Sequence, residues 1–291
     1  MLADSPQSAS LRTLAVYVSG MSPTEPIFTV EPPQGRAPQP KSRNYFAWWP
    51  AFVVVLLKYK TVLSMLVSIW IYSEIFGWGF AVGFVLLIFV HEMGHVFAAK
   101  MLGIPVSAPL FIPFIGASIV MKQNPRDAWT EALMAYGGPL AGGLGGWVCF
   151  LVGEAWQWPL LVAVASVTFV MNLFNMIPVP PLDGGRICAA VSRWFWLIGL
   201  ALLGAAVVYF EAWNLIIIVI LVLFAAYQRI VHMFRYRASP EMQSYYRLSL
   251  GTRAFVGVFY LGLIAVLLLG YWDASNHLHY LTSDASGDLG N

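Results

Sequence analysis

Stretches of about twenty apolar residues, almost free of charge, recur along this chain, and that pattern limits its fold more than any other feature. A helix needs about 20 such residues to cross a hydrocarbon core ~30 Å thick. Only 10% of the 291 residues are Asp, Glu, Lys or Arg. An ordinary soluble domain carries about 25%, so this chain has too few charges to cover a water-facing surface. Backbone in lipid must satisfy its own hydrogen bonds, and the expected fold is therefore an all-α polytopic membrane protein. Hydropathy predicts about six to seven transmembrane helices: Thr61 to Phe76, Gly79 to Ala99, Glu131 to Val152, Trp158 to Ile177, Trp194 to Phe210, Trp213 to Val231, and Arg253 to Tyr271. The first and fifth are short enough to tilt or to lie partly in the interface.

The basic residues test this division, because short cytoplasmic loops collect Lys and Arg. Six precede the first span (Arg12, Arg36, Lys41, Arg43, Lys58, Lys60), and three lie between the second and third (Lys100, Lys122, Arg126). Two lie between the fourth and fifth (Arg186, Arg193), and five at the loop before the seventh (Arg229, Arg235, Arg237, Arg247, Arg253). The alternate loops and the C-terminal segment carry Glu74, Glu154, Glu211, Asp273, Asp284 and Asp288 instead. The expectation is an integral multi-pass protein of the inner or plasma membrane, with a cytoplasmic N-terminus and the C-terminus outside. Residues 1–45, with seven prolines among Ser, Gln and Gly, read as a disordered cytoplasmic tail without a cleaved signal. A net charge of +2 on scattered basic residues offers no patch for nucleic acid. Cys149 and Cys188 are too few for a disulfide framework or a thiolate metal site and read as packing residues.

Two loops are not ordinary connectors. Pro109 to Met121 is β-branched and aromatic, broken by Pro113 and Gly116, which predicts a short membrane-associated β-hairpin between helices two and three. Ile177 to Gly185 holds three prolines that cannot continue a helix. Irregular backbone at membrane depth is tolerated where protein buries it or water reaches it.

Ionisable residues inside spans are the first candidates for function, since charge in the membrane is costly. The second span contains His91-Glu92-Met93-Gly94-His95. A spacing of four puts His91 and His95 on one helix face, where both imidazoles reach one metal ion. Glu92 lies about 100° round the helix, close enough to take a proton from water at that ion, as in the H-E-x-x-H zinc signature. A structural His pair bonding across a bundle is the alternative, but it needs neither this spacing nor the adjacent carboxylate. Catalytic zinc commonly has three protein ligands and an open position. Asp183, at the proline-broken end of the fourth span, approaches the same depth as His91 and His95; as part of Asp-Gly it also reads as a turn carboxylate. Asn175 has an amide able to donate to a developing oxyanion, or to bond between helices, and Asn172 nearby reads as the latter. The glycines of the third span, Gly137, Gly138, Gly142, Gly143, Gly145 and Gly146, suit close helix packing.

These residues together resemble the site-2 protease family of intramembrane zinc metalloproteases. The resemblance rests on His91 to His95 and on Asn175 to Gly184, which ends in Leu182-Asp183-Gly184. It extends over roughly Thr61 to Arg193, including the Phe-Ile-Pro-Phe-Ile-Gly loop and Gly138-Pro139. It implies one zinc ion per chain held by His91, His95 and Asp183, with Glu92 as general base and Asn175 stabilising the oxyanion. It also implies a substrate that is another membrane protein, cut in or near its transmembrane helix, at a site nearer the cytoplasmic face. Residues 46–193 are then the catalytic core, 194–272 additional transmembrane helices, and 273–291 a polar tail. No soluble stretch is long enough for the PDZ or CBS module many relatives carry, so a short form is expected. A metal-binding transporter or channel is the alternative from another class, since buried His and Asp also serve ion pathways.

Overall fold

The computed structural model describes residues 49–287 apart from 115, 210–215 and 237, and the side chains of 59–283 apart from 115, 206, 207, 209–218 and 237. The expected tail at 1–45 lies outside the described residues. The described residues form one compact unit.

Nine helices and one hairpin are described. The first two, α1 (Trp49–Phe76) and α2 (Trp78–Met101), are followed by β1 (Leu110–Ile112) and β2 (Gly116–Ser118). Then come α3 (Ala128–Ala155), α4 (Pro159–Asn175), α5 (Asp183–Val191), α6 (Phe195–Tyr209), α7 (Ile216–Tyr236), α8 (Pro240–Tyr245) and α9 (Leu250–Gly287). Every span expected from hydropathy falls on a helix. Among the described residues four are long and apolar enough to cross a membrane: Trp78–Met101, Ala128–Ala155, Val219–Tyr236 and Leu250–Ser283. Pro159–Asn175 and Phe195–Ala205 are shorter apolar helices. The protein is a helical membrane protein with a short hairpin between its second and third helices.

Local chemistry sets several boundaries. Asp127 caps α3, its carboxylate accepting from the Thr130 N–H at 2.8 Å. Pro159 opens α4 at a position where its missing N–H is harmless. Three prolines stop α4 from continuing, and the chain turns through Val179 before α5 starts at Asp183. Two short helices, α5 and α8, were not foreseen; α5 buries Ile187, Cys188, Ala189 and Ala190 within nine residues, too brief a run to register as a period. The stretch expected as a polar tail from 273 is instead helical as far as Gly287. Ala274, Leu278 and Leu281 recur there at i, i+4 and i+7 and pack on the core, so the polar composition hid one apolar face.

The hairpin pairs Leu110 with Ser118, Phe111 with Ala117 and Ile112 with Gly116. It is fastened to α1: the Thr61 hydroxyl donates to the Pro109 carbonyl at 2.6 Å, Phe111 N–H donates to Ser64 Oγ at 3.1 Å, and Phe114 N–H to the Tyr72 hydroxyl at 2.8 Å. Lipid gives little hydrophobic drive to helix association, so small residues and such hydrogen bonds carry it. The main core gathers Tyr136, Phe150, Phe169, Ile187 and Leu267 from α3, α4, α5 and α9. Two tyrosines join α9 to this core, Tyr136 donating to Val256 O at 2.6 Å and Tyr260 donating to Met176 O. The free thiols Cys149 and Cys188 are packing residues, the second of them buried.

Candidate metal centre

Helix α2 presents His91 and His95 one turn apart, and the first residue of α5 brings Asp183 to them. All three are buried. The two Nε2 atoms are 3.2 Å apart, and Asp183 Oδ2 stands 3.3 Å from His91 Nε2 and 3.2 Å from His95 Nε2. The three donors thus form a nearly equilateral triangle. A tetrahedral zinc ion with donors at about 2.0–2.1 Å holds neighbouring donors about 3.3 Å apart, which is the edge of this triangle. Among the described residues these three form a group able to hold a metal ion.

The remaining ring nitrogens are held in place from behind. Asn172 on α4 donates its amide N–H to the Thr168 carbonyl at 2.8 Å, which turns its oxygen toward His91. His91 Nδ1 lies 2.9 Å from that oxygen and must be the donor, leaving Nε2 as a lone pair. His95 Nδ1 is 2.9 Å from Met134 O on α3, nearer than the Gly138 N–H at 3.2 Å, and because a carbonyl can only accept, the closer contact favours the same tautomer. Outer hydrogen bonds of this kind orient metal-binding imidazoles and raise their basicity.

The glycine-rich face of α3 makes room for this. Gly94 of α2 and Gly137 of α3 touch backbone to backbone, and a methyl on either would collide with the other's carbonyl. A methyl at Gly138 would stand 2.6 Å from His91 Nε2 and closer still to His95 Nε2. Packing was the expected role of these glycines; Gly138 also leaves the space beside the donor triangle open.

Glu92 is buried beside the two histidines on α2, at 6% exposure. Asn175 is the last residue of α4 and half-buried. The asparagine that contacts one of the three donor residues is Asn172, three residues earlier, which the sequence offered as an interhelical bond. Both descriptions are true of it, since its bond between helices is to His91.

A second buried charge cluster lies one turn beyond Asp183. Glu131 on α3, 1% exposed, accepts from Arg186 of α5 at 3.3 Å and Arg229 of α7 at 2.6 Å through Oε1, and from the Tyr245 hydroxyl of α8 at 2.6 Å through Oε2. Arg186 Nη2 also reaches Met121 Sδ at 3.6 Å. The only sequence signal was a carboxylate at the edge of a span. Its partners lie 55, 98 and 114 positions away, which no local pattern connects.

Residues 79–158, which include His91, Glu92 and His95, match the model of Peptidase family M50. Asp183 and Asn175 lie beyond the matched residues, and the fold is what joins Asp183 to them. A zinc metalloprotease of Methanocaldococcus jannaschii is 33% identical over 119 residues, 38% of this chain. The alignment covers 34% of that protein, so the chain spans about a third of the length of this curated relative. Among solved structures, the site-2 protease from Methanocaldococcus jannaschii aligns over 56% of this chain and 85% of that chain, at 24% identity and a TM-score of 0.40.

Proposed function

We propose that this protein is an intramembrane zinc metalloprotease that hydrolyses a peptide bond in or near a transmembrane segment of another membrane protein. The observation that carries the proposal is the buried donor triangle of His91, His95 and Asp183, with edges of 3.2 to 3.3 Å, set beside Glu92. His91, His95 and Asp183 would hold a zinc ion, which when bound would supply Lewis acidity toward the scissile carbonyl and the attacking water. The chain's own residues do the rest. Glu92 accepts the proton of the attacking water at its carboxylate and passes it to the leaving amine. Asn172 and Met134 keep both imidazoles in the tautomer that presents Nε2. Asn175 donates its amide to the oxygen on which negative charge develops.

A helical substrate hides its carbonyls in i to i−4 bonds and must be unwound locally to be cut. The hairpin suits an extended segment, which would add as a third strand. The outer side of β1 is covered by α1, through Thr61 and Ser64. The open edge is therefore β2, and among the described residues no third strand pairs with it.

The family and the distribution of basic residues support a multi-pass chain whose site lies nearer the cytoplasmic face, with a cytoplasmic N-terminus. No finding favours the transporter alternative. The deciding experiment measures zinc content of purified wild type and of His91→Ala, His95→Ala and Asp183→Ala variants, with cleavage of a reporter membrane substrate scored alongside. Zinc and cleavage should be lost together; a variant that lacks zinc but still cleaves would overturn the assignment.

A further inference from the structure

A cavity of about 240 Å³ lies between the end of α5, the start of α6, the last turns of α7 and the start of α9. Two guanidinium groups, those of Arg193 and Arg253, line it, and none of its eleven lining residues is acidic. Arg253 is fully engaged: it donates to Val191 O at 2.7 Å, Tyr246 O at 3.0 Å and Leu248 O at 3.3 Å. Arg193 is not. Its guanidinium carbon stands 4.7 Å from the centre of the Tyr246 ring, and its Nη1 is buried with no hydrogen-bond partner among the described residues. Glu131, contacted by the neighbouring Tyr245, already accepts from Arg186, Arg229 and Tyr245 and has no oxygen to spare for it.

Arg193 as a whole is half-buried, but a guanidinium nitrogen shut away from water without an acceptor is costly. A planar guanidinium with an unused donor suits the oxygens of a phosphate. The rim of the cavity says where that phosphate comes from. Trp194, Leu197 and Phe234 are 70%, 55% and 51% exposed, on or beside the apolar helices α6 and α7, an apolar rim suited to acyl chains. We propose that this cavity binds the phosphoryl headgroup of an anionic phospholipid, with Arg193 donating to the phosphate and the acyl chains lying along α6 and α7. Free phosphate presents the same oxygens but leaves the apolar rim uncovered. Basic pockets between membrane helices are a physical solution to holding such headgroups. The site does not depend on proteolytic activity.

The test is thermal unfolding of the full chain in neutral detergent, titrated with phosphatidylglycerol, phosphatidylcholine or inorganic phosphate. Wild type is compared with R193Q, R193K and, as a charge-removal control, R126Q, whose native side chain is 80% exposed. Phosphatidylglycerol should raise the melting temperature of wild type and R126Q, while R193Q should need about fivefold more lipid for the same shift. R193K should fall between them. Lipid extracted from purified wild type should be enriched in anionic species over the bulk membrane. An R193Q response equal to wild type, or an equal shift from phosphatidylcholine, would overturn the site. Inorganic phosphate reproducing the whole Arg193-dependent shift would overturn the lipid assignment. If R193Q does not fold, R193K and the comparison of the two lipids on wild type decide the question.

Discussion

His91 Nδ1 lies 2.9 Å from the side-chain oxygen of Asn172, 81 positions away, and the amide of Asn172 is itself locked by the Thr168 carbonyl. That chain of bonds decides which nitrogen of His91 is free for a metal. Replacing Asn172 with Leu removes the acceptor while keeping the volume, and zinc affinity should fall about 10- to 100-fold. Asn172→Asp, which still accepts from Nδ1–H, should lose less. Competition with a chromophoric chelator measures both; equal affinity in Asn172→Leu and wild type would remove Asn172 from the site.

Glu92 is adjacent to the donor triangle without belonging to it. Glu92→Gln preserves shape and removes the carboxylate proposed above as the proton acceptor. Zinc content should stay near one per chain, while cleavage of a reporter substrate falls by at least about 10²-fold, the usual contribution of a general base. Retained cleavage at full zinc occupancy would assign the proton transfer elsewhere.

How much of this was legible depends on the range of the interaction. His91, Glu92 and His95 were readable because one helical turn places them together and a membrane span makes charge conspicuous. Asp183 needed the resemblance, since Asp-Gly at a proline-rich break is equally a turn. Asn172 was visible as a residue but not as a partner: the competing choice, Asn175, sits on the same helix three residues on, and only the packing of α2 against α4 decides between them. The Glu131 cluster joins four helices over as many as 114 positions, and its arginines looked like ordinary markers of the cytoplasmic side. The hairpin was legible from its β-branched run, whereas the side of it covered by α1 was not.

Gly138 lies where any side chain would enter the donor triangle. Gly138→Ala should leave helix content unchanged by far-ultraviolet circular dichroism, because alanine favours helix. The methyl must push the imidazoles or part α2 from α3, an overpacking of about 1–3 kcal/mol. Bound zinc per chain should fall well below that of wild type; full zinc with normal affinity would mean that the helices shift to absorb the methyl.

Glu131 is the counter-charge of the largely buried Arg186 and of Arg229, whose side chain is 41% exposed. Burial and the Glu131 carboxylate push the Tyr245 hydroxyl above its ordinary pKa, so it remains a donor throughout the physiological range. Glu131→Ala strands the largely buried Arg186, while water screens the part-exposed Arg229, and should destabilise the fold by about 3 kcal/mol. Glu131→Gln, which keeps one acceptor oxygen for the arginines and turns an amide N–H toward the Tyr245 hydroxyl, should be milder. Arg186 is three residues after Asp183 on α5, so zinc affinity should weaken in both variants even below their melting temperatures. Denaturation curves and chelator competition on the same preparations separate the two effects, and unaltered zinc affinity in Glu131→Gln would confine the cluster to stability.

The hairpin has one edge held and one edge open. Phe111 directs its N–H to Ser64 and is paired with Ala117, so in an antiparallel ladder the Ala117 N–H points away from β1, toward any added strand. Ala117→Pro deletes that outward donor without removing a bond between β1 and β2. The metal donors lie on α2 and α5, so zinc content should be unchanged. If an extended substrate docks on β2, the loss of one charge-neutral hydrogen bond, about 0.5–1.5 kcal/mol, should lower kcat/KM for a membrane substrate by roughly threefold to tenfold. A short soluble peptide that enters without strand pairing should be cut at the wild-type rate. Equal losses on both substrates would point to a distorted site, and no loss on either would remove β2 from substrate binding.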